Sequence, residues 1–154
     1  MPTNTAPRRH LVQHRSHPRQ SAPGRALQAV LDLDALPTAP GCARAWTRQI
    51  LREWRLADLS DTAELIVSEL TTNAMLASRL LDRPVMRLML TFGHGELAIL
   101  IRDYCPSVPQ PRNAADEDEN GRGLLLVEAM SARSGWYPPG DGTPGKVVWA
   151  ALSV

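Results

Sequence analysis

Residues 85–103 read Val-Met-Arg-Leu-Met-Leu-Thr-Phe-Gly-His-Gly-Glu-Leu-Ala-Ile-Leu-Ile-Arg-Asp. Two apolar runs, Val85 to Phe92 and Glu96 to Asp103, flank Gly93-His94-Gly95, so the stretch predicts two antiparallel strands joined by a hairpin turn. Along the second run Leu97, Ile99 and Ile101 recur at every second position, the period that puts side chains on one face of a sheet. Asp103 falls on that face, and its carboxylate points into the interior.

Upstream of the hairpin, Leu27, Ala29, Leu31, Leu33 and Ala35 alternate within Ala26 to Leu36, which predicts a short strand suited to a sheet edge. After Pro37 and Pro40, the spacing of Ala43, Trp46, Ile50 and Trp54 predicts an amphipathic helix from Gly41 to Trp54, with Arg44, Arg48, Arg52 and Arg55 elsewhere around it. Ser60 and Asp61 offer caps for a second helix, and Glu64 follows Asp61 at capping-box spacing. That helix is expected to run to about Leu81, short of Pro84.

Downstream, residues 104–120 hold three prolines and the run Asp116-Glu117-Asp118-Glu119, which predicts a long loop. Gly121-Arg122-Gly123 then precedes a helix from Leu124 to Met130. Gly135-Trp136-Tyr137 begins a strand, and a Pro/Gly turn from Pro138 to Gly145 leads into a last strand from Lys146 to Val154. The order β-α-α-β-β-loop-α-β-β implies an α+β fold, a two-layer α/β sandwich with helices on one face of a mixed or antiparallel sheet.

The 154 residues suit one domain, and 44% hydrophobic with 21% charged residues is ordinary globular composition. Residues 1–25 lack apolar periodicity and are expected to be a flexible basic arm, leaving 26–154 as the folded domain. The net charge of +1 hides an asymmetry: residues 1–31 carry five arginines and no acid, while the remainder has 12 bases against 16 acids, a net −4. No aromatic residue interleaves the arm's arginines to stack on bases, so nucleic acid is not the expected partner. His10, His14 and His17 in the arm lack a helical pattern around them, which argues against a phospho-acceptor. Cys42 and Cys105 show neither disulfide-framework nor zinc spacing. No apolar run is long enough to span a membrane and no signal peptide is evident, so a cytoplasmic protein is expected.

Three features carry chemistry. Glu69 and Asn73 stand four apart on one face of the second helix, next to Ile66 and Ala77. A carboxylate there can orient or deprotonate a nucleophile and a carboxamide oxygen suits Mg²⁺, although a helix-surface hydrogen bond also accounts for such a pair. Asp103 needs a donor, which an adenine amino group or a backbone amide of the next turn would supply. Gly121-Arg122-Gly123 opens a helix, where free N–H groups and the helix dipole favour phosphate, as an ordinary loop-to-helix turn also would.

Taken in order, Glu69-Leu-Thr-Thr-Asn73-Ala74, Ile101-Arg-Asp103, Gly121-Arg-Gly123-Leu124 and Gly145-Lys146-Val-Val-Trp149 resemble the motifs of the GHKL (Bergerat-fold) ATP-binding proteins, in particular the anti-sigma-factor serine kinases and short actinobacterial ATP-binding regulators. The resemblance spans about residues 27–154. It implies ATP and Mg²⁺ as cofactors, Glu69 as general base, Asn73 as Mg²⁺ ligand, and Asp103 as reader of the adenine amino group. It further implies that Gly121, Arg122, Gly123 and Leu124 line the phosphate-binding turn, that residues 104–120 form a lid, and that Arg44 faces a protein partner. The implied partner is a sigma factor or an anti-sigma antagonist, with a homodimer as a further expectation. Three positions depart from the family pattern: Tyr104-Cys105-Pro106 replaces a glycine-bearing turn, Ala77 stands where histidine is frequent, and Val147 where threonine is frequent. The alternative they leave open is a nucleotide-binding interaction module without phosphotransfer. Trp46, Trp54, Trp136 and Trp149 are expected mainly in the core, and Cys105 as a small apolar filler. Lys146, the chain's only lysine, lacks the Ser/Thr of a P-loop.

Overall fold

In the computed structural model, which describes residues 26–107 and 120–154 (the side chains of 120–122 excepted), the hairpin forms as its alternation requires. Strands β2 (Val85–Gly93) and β3 (Glu96–Asp103) pair antiparallel, with Gly93 opposite Glu96. Their loop is only His94-Gly95, with φ of 52° and 71°. A two-residue loop with both φ positive matches the right-handed twist of the flanking strands, and glycine adopts that conformation without steric cost.

Strand β1 (Leu27–Asp34) lies outside β2, and β5 (Lys146–Ser153) pairs with the other edge of β3 and carries β4 (Arg133–Tyr137) beyond it. The order β1-β2-β3-β5-β4 is antiparallel throughout, which resolves the mixed-or-antiparallel alternative. Three helices, α1 (Ala39–Glu53), α2 (Ser60–Ser78) and α3 (Asn120–Met130), complete the expected α+β two-layer sandwich. Among them, α2 lies against β2, β3 and β5, with α1 and α3 on its flanks. The expected arm (1–25) and residues 108–119 of the expected lid fall outside the described residues.

The main core lies between the sheet and α2. Met86, Leu88, Leu90, Leu97, Ile99, Ile101, Ala150 and Leu152 meet Ala63, Ile66, Val67, Leu70 and Ala74, all buried. Each fully buried Leu, Ile or Val side chain stabilises the fold by roughly 1.5–3 kcal/mol, so this layer fixes the position of α2 on the sheet. A smaller cluster on the opposite sheet face gathers Ala98, Leu100, Val147, Trp149 and Ala151. Of the four tryptophans, Trp149 alone is fully buried; Trp46 and Trp54 are half-buried against the main core, and Trp136 is half-buried in β4.

Helix boundaries differ from expectation for local reasons. Helix α1 begins at Ala39 and takes Pro40 into its first turn, where the missing N–H has no intrahelical partner to lose. Its most buried line is Ala39, Ala43, Thr47 and Leu51, with Trp46 and Ile50 flanking it. The expected capping box is absent: a 3-10 turn (Ala57–Leu59) runs directly into α2, Leu59 occupies the cap position without a side-chain hydrogen bond, and α2 ends at Ser78. Glu64 instead accepts hydrogen bonds of 2.8 and 2.6 Å from Arg48, tying α2 to α1. Gly121-Arg122-Gly123 does not precede α3 but forms its first turn.

Candidate functional site

Glu69 and Asn73 are both half-buried on α2, one turn apart. Helix α3 packs beside α2 and brings Gly123 against Glu69, so closely that a Cβ on residue 123 would overlap Glu69 Oε2. A side chain at residue 123 would push the carboxylate out of this position. Among the described residues no hydrogen bond or ion pair engages Glu69, and the Asn73 amide nitrogen is buried without a partner. A buried amide nitrogen without a partner is unusual in a folded interior, where most buried polar side-chain atoms are satisfied. Because amide N and O are assigned by their surroundings, such a group is suited to an acceptor or donor that the protein itself does not supply.

Asp103 ends β3 on the helix-facing side with a side chain 1% exposed. Lys146 Nζ lies 3.0 Å from both of its oxygens, and the Cys105 N–H donates to Oδ1 at 3.0 Å. Burial pushes the Asp103 carboxyl above its ordinary pKa, while the ammonium and the amide pull it back without fully compensating. The backbone amide weighed as a donor for this acid is thus present, and a lysine accompanies it. Gly145 holds the start of β5 in place: its φ is +120°, and a Cβ there would overlap the Asp103 carbonyl oxygen.

The remaining expected residues divide. Leu124 packs partly buried against the main core, and Gly121 lies in the backbone of the first turn of α3. The Arg122 side chain lies outside the described residues. Arg44 reaches from α1 to α2 and donates to Ser68 Oγ at 2.8 Å, adjacent in sequence to Glu69. Cys105 is half-exposed, with its Sγ 3.0 Å from Ser107 Oγ, which corrects its reading as an apolar filler.

The sequence reading set Lys146 in the closing Gly145-Lys146-Val-Val-Trp149 stretch and weighed it against a P-loop lysine, but did not pair it with Asp103. The signal that finds it is positional: Asp103 is the last residue of one strand and Lys146 the first of another, and antiparallel pairing of those strands sets them opposite each other.

Among the described residues no three His, Cys, Asp or Glu side chains gather as a metal cluster. Mg²⁺ commonly keeps waters and substrate phosphates with one or two protein oxygens, so a single carboxamide fits it where a closed protein cage would not. Asn73, one helical turn from Glu69 on α2, offers such a carboxamide. Among the described residues no helix is long and apolar enough to cross a membrane.

Comparison with curated proteins finds no match. The family described as the histidine kinase-like ATPase domain matches residues 33–151, which includes Glu69, Asn73, Asp103, Gly123 and Lys146. With most of its length matched and the two-layer architecture in place, the chain belongs to the histidine kinase-like ATPase domain family.

Proposed function

We propose that the chain is a Mg-ATP-binding regulatory protein that acts as an anti-sigma-type serine kinase on an antagonist protein. The observation that carries the reading is the meeting of Glu69 with Gly123: a carboxylate free of partners among the described residues stands against the first turn of α3. That turn presents unpaired N–H groups to an anion, and the helix dipole adds to their pull. Asn73, one turn along α2, would hold the Mg²⁺, which supplies charge neutralisation on the phosphates.

In the transfer, a serine hydroxyl of the antagonist attacks the γ-phosphorus and Glu69 accepts its proton. The new serine O–P bond forms as the bond from the γ-phosphorus to the β-γ bridging oxygen breaks, and ADP leaves. Arg44 would contribute to the partner surface through the α1–α2 face. A sigma factor or its antagonist is the partner class that the resemblance suggests. The second reading, a nucleotide-binding module without phosphotransfer, is favoured by the Tyr104-Cys105-Pro106 turn, whose Cys105 amide is committed to Asp103.

The test is calorimetric titration of Mg-ATP into the wild type, Asn73→Ala and Asp103→Ala, followed by transfer of γ-labelled phosphate to candidate antagonists. Loss of binding in Asp103→Ala and loss of Mg²⁺ dependence in Asn73→Ala support the nucleotide site. Label on an antagonist serine supports the kinase; binding without transfer to any cognate partner supports the module.

A further inference from the structure

Lys146 is the only lysine of the chain, and it is buried rather than solvated. It stands directly opposite Asp103 in the β3–β5 register, on the same face as Val148, Ala150 and Leu152, with its side chain 7% exposed. On the other flank of Asp103 the register places Met86, which has no donor. Among the neighbours that flanking strands bring to Asp103, the cationic donor is therefore Lys146.

The two groups do not exhaust each other. Asp103 Oδ1 accepts hydrogen bonds from both the Cys105 amide and the ammonium, whereas Oδ2 has only the ion-pair contact of 3.0 Å with the ammonium. A carboxylate oxygen accepts about two hydrogen bonds, so Oδ1 is filled and Oδ2 keeps acceptor capacity. The ammonium has three N–H donors, and no acceptor other than Asp103 engages it among the described residues. One acceptor and one donor thus lie side by side at the end of β3.

We propose that Lys146 is a base-reading residue of the nucleotide site, donating to purine N1 while Asp103 Oδ2 accepts from the 6-amino group. The inference rests on the nucleotide reading given above. Adenine presents an amino donor at C6 and an acceptor at N1, the complement of this pair. Guanine presents a carbonyl oxygen at C6 and an N–H at N1, which sets oxygen against carboxylate and N–H against ammonium. With Oδ1 filled by the Cys105 amide and the ammonium, Asp103 has no second oxygen to offer the N1–H and 2-amino edge of guanine. A polar site left with mismatched buried groups rejects a ligand far more strongly than one that merely loses a contact.

The probe is 1-deaza-ATP, which replaces N1 by C–H and leaves the amino group, ribose and phosphates intact. Calorimetry with the full chain is expected to show 1-deaza-ATP binding about tenfold more weakly than ATP, with GTP weaker still. In Lys146→Met the preference for ATP over 1-deaza-ATP disappears. A measurement without substitution stands beside it: protein made with nitrogen-15 lysine carries a single Nζ resonance, which shifts on addition of ATP and stays near its ligand-free position with 1-deaza-ATP. Equal affinity of the wild type for ATP and 1-deaza-ATP, or a preference that persists in Lys146→Met, overturns the assignment while ATP binding stands. Failure of the folded wild type to bind ATP at all overturns the nucleotide reading and the assignment with it.

Discussion

Gly123 on α3 lies against Glu69 on α2 at a distance that leaves no room for a methyl group between backbone and carboxylate. The overlap falls on the far end of a flexible side chain, so Gly123→Ala is relieved by swinging Glu69 away. Alanine gains roughly 1 kcal/mol over glycine inside a helix. The expected outcome is unchanged or slightly raised melting temperature with turnover lowered about 100-fold, since a displacement near 1 Å of a reacting group can cost that much. Thermal melts and steady-state turnover on the same preparation check it.

Glu69→Gln keeps size and shape but cannot accept a proton. Loss of a general base lowers rates by about 10²- to 10⁴-fold. For Glu69 as the proposed general base, the expected result is phosphotransfer reduced within that range while the ATP dissociation constant stays within a few-fold of wild type. A parallel loss of binding would instead make Glu69 a structural support of the site.

The Asp103–Lys146 pair predicts a non-additive stability cycle. Removing one member of a buried ion pair typically costs about 3–5 kcal/mol, because a charge is left without its partner. Replacing both by apolar groups of similar volume is often neutral. Urea denaturation should therefore find Lys146→Met strongly destabilised and the double variant Asp103→Leu/Lys146→Met close to wild type. Equal destabilisation of single and double variants would contradict the coupling.

The legibility of this site followed the distance over which its parts are specified. Strand β3 has the bounds its alternation predicts, and Glu69 and Asn73 share a helical face by spacing alone. Positions that depend on what precedes or faces an element were not readable in the same way. Asp61 looks like a cap, yet the 3-10 turn before Ser60 already directs the chain into α2. Gly121 and Gly123 look like a loop because glycine is a weak helix former, but the close approach of Glu69 accounts for Gly123 within α3. The Lys146 partnership requires knowing that β5 inserts between β3 and β4, a pairing of strands not consecutive in the chain.

Asp141, in the turn before β5, provides a test at low pH. The Thr143 hydroxyl and backbone N–H, with Arg102 nearby, hold its carboxyl down at about 2, against an ordinary 3.8. Its folded-state pKa is depressed, so its contribution to stability is complete above 3.8 and is lost as pH falls through about 2. Comparing the melting temperatures of wild type and Asp141→Asn from pH 5 to pH 2 should show the wild type's advantage shrinking across that window. A constant difference at every pH would remove the ionised carboxylate as its source.

A chain with one lysine offers one bond to a protease that cleaves after lysine, and here that bond follows a residue buried at the start of β5. Cleavage requires the segment to leave the sheet, so the folded protein resists such an enzyme until β5 detaches from β3 and β4. The rate of that single cut then reports how often β5 comes away from the sheet beneath the Asp103–Lys146 pair. Any ligand that grips Asp103 and Lys146 in the native state should slow it.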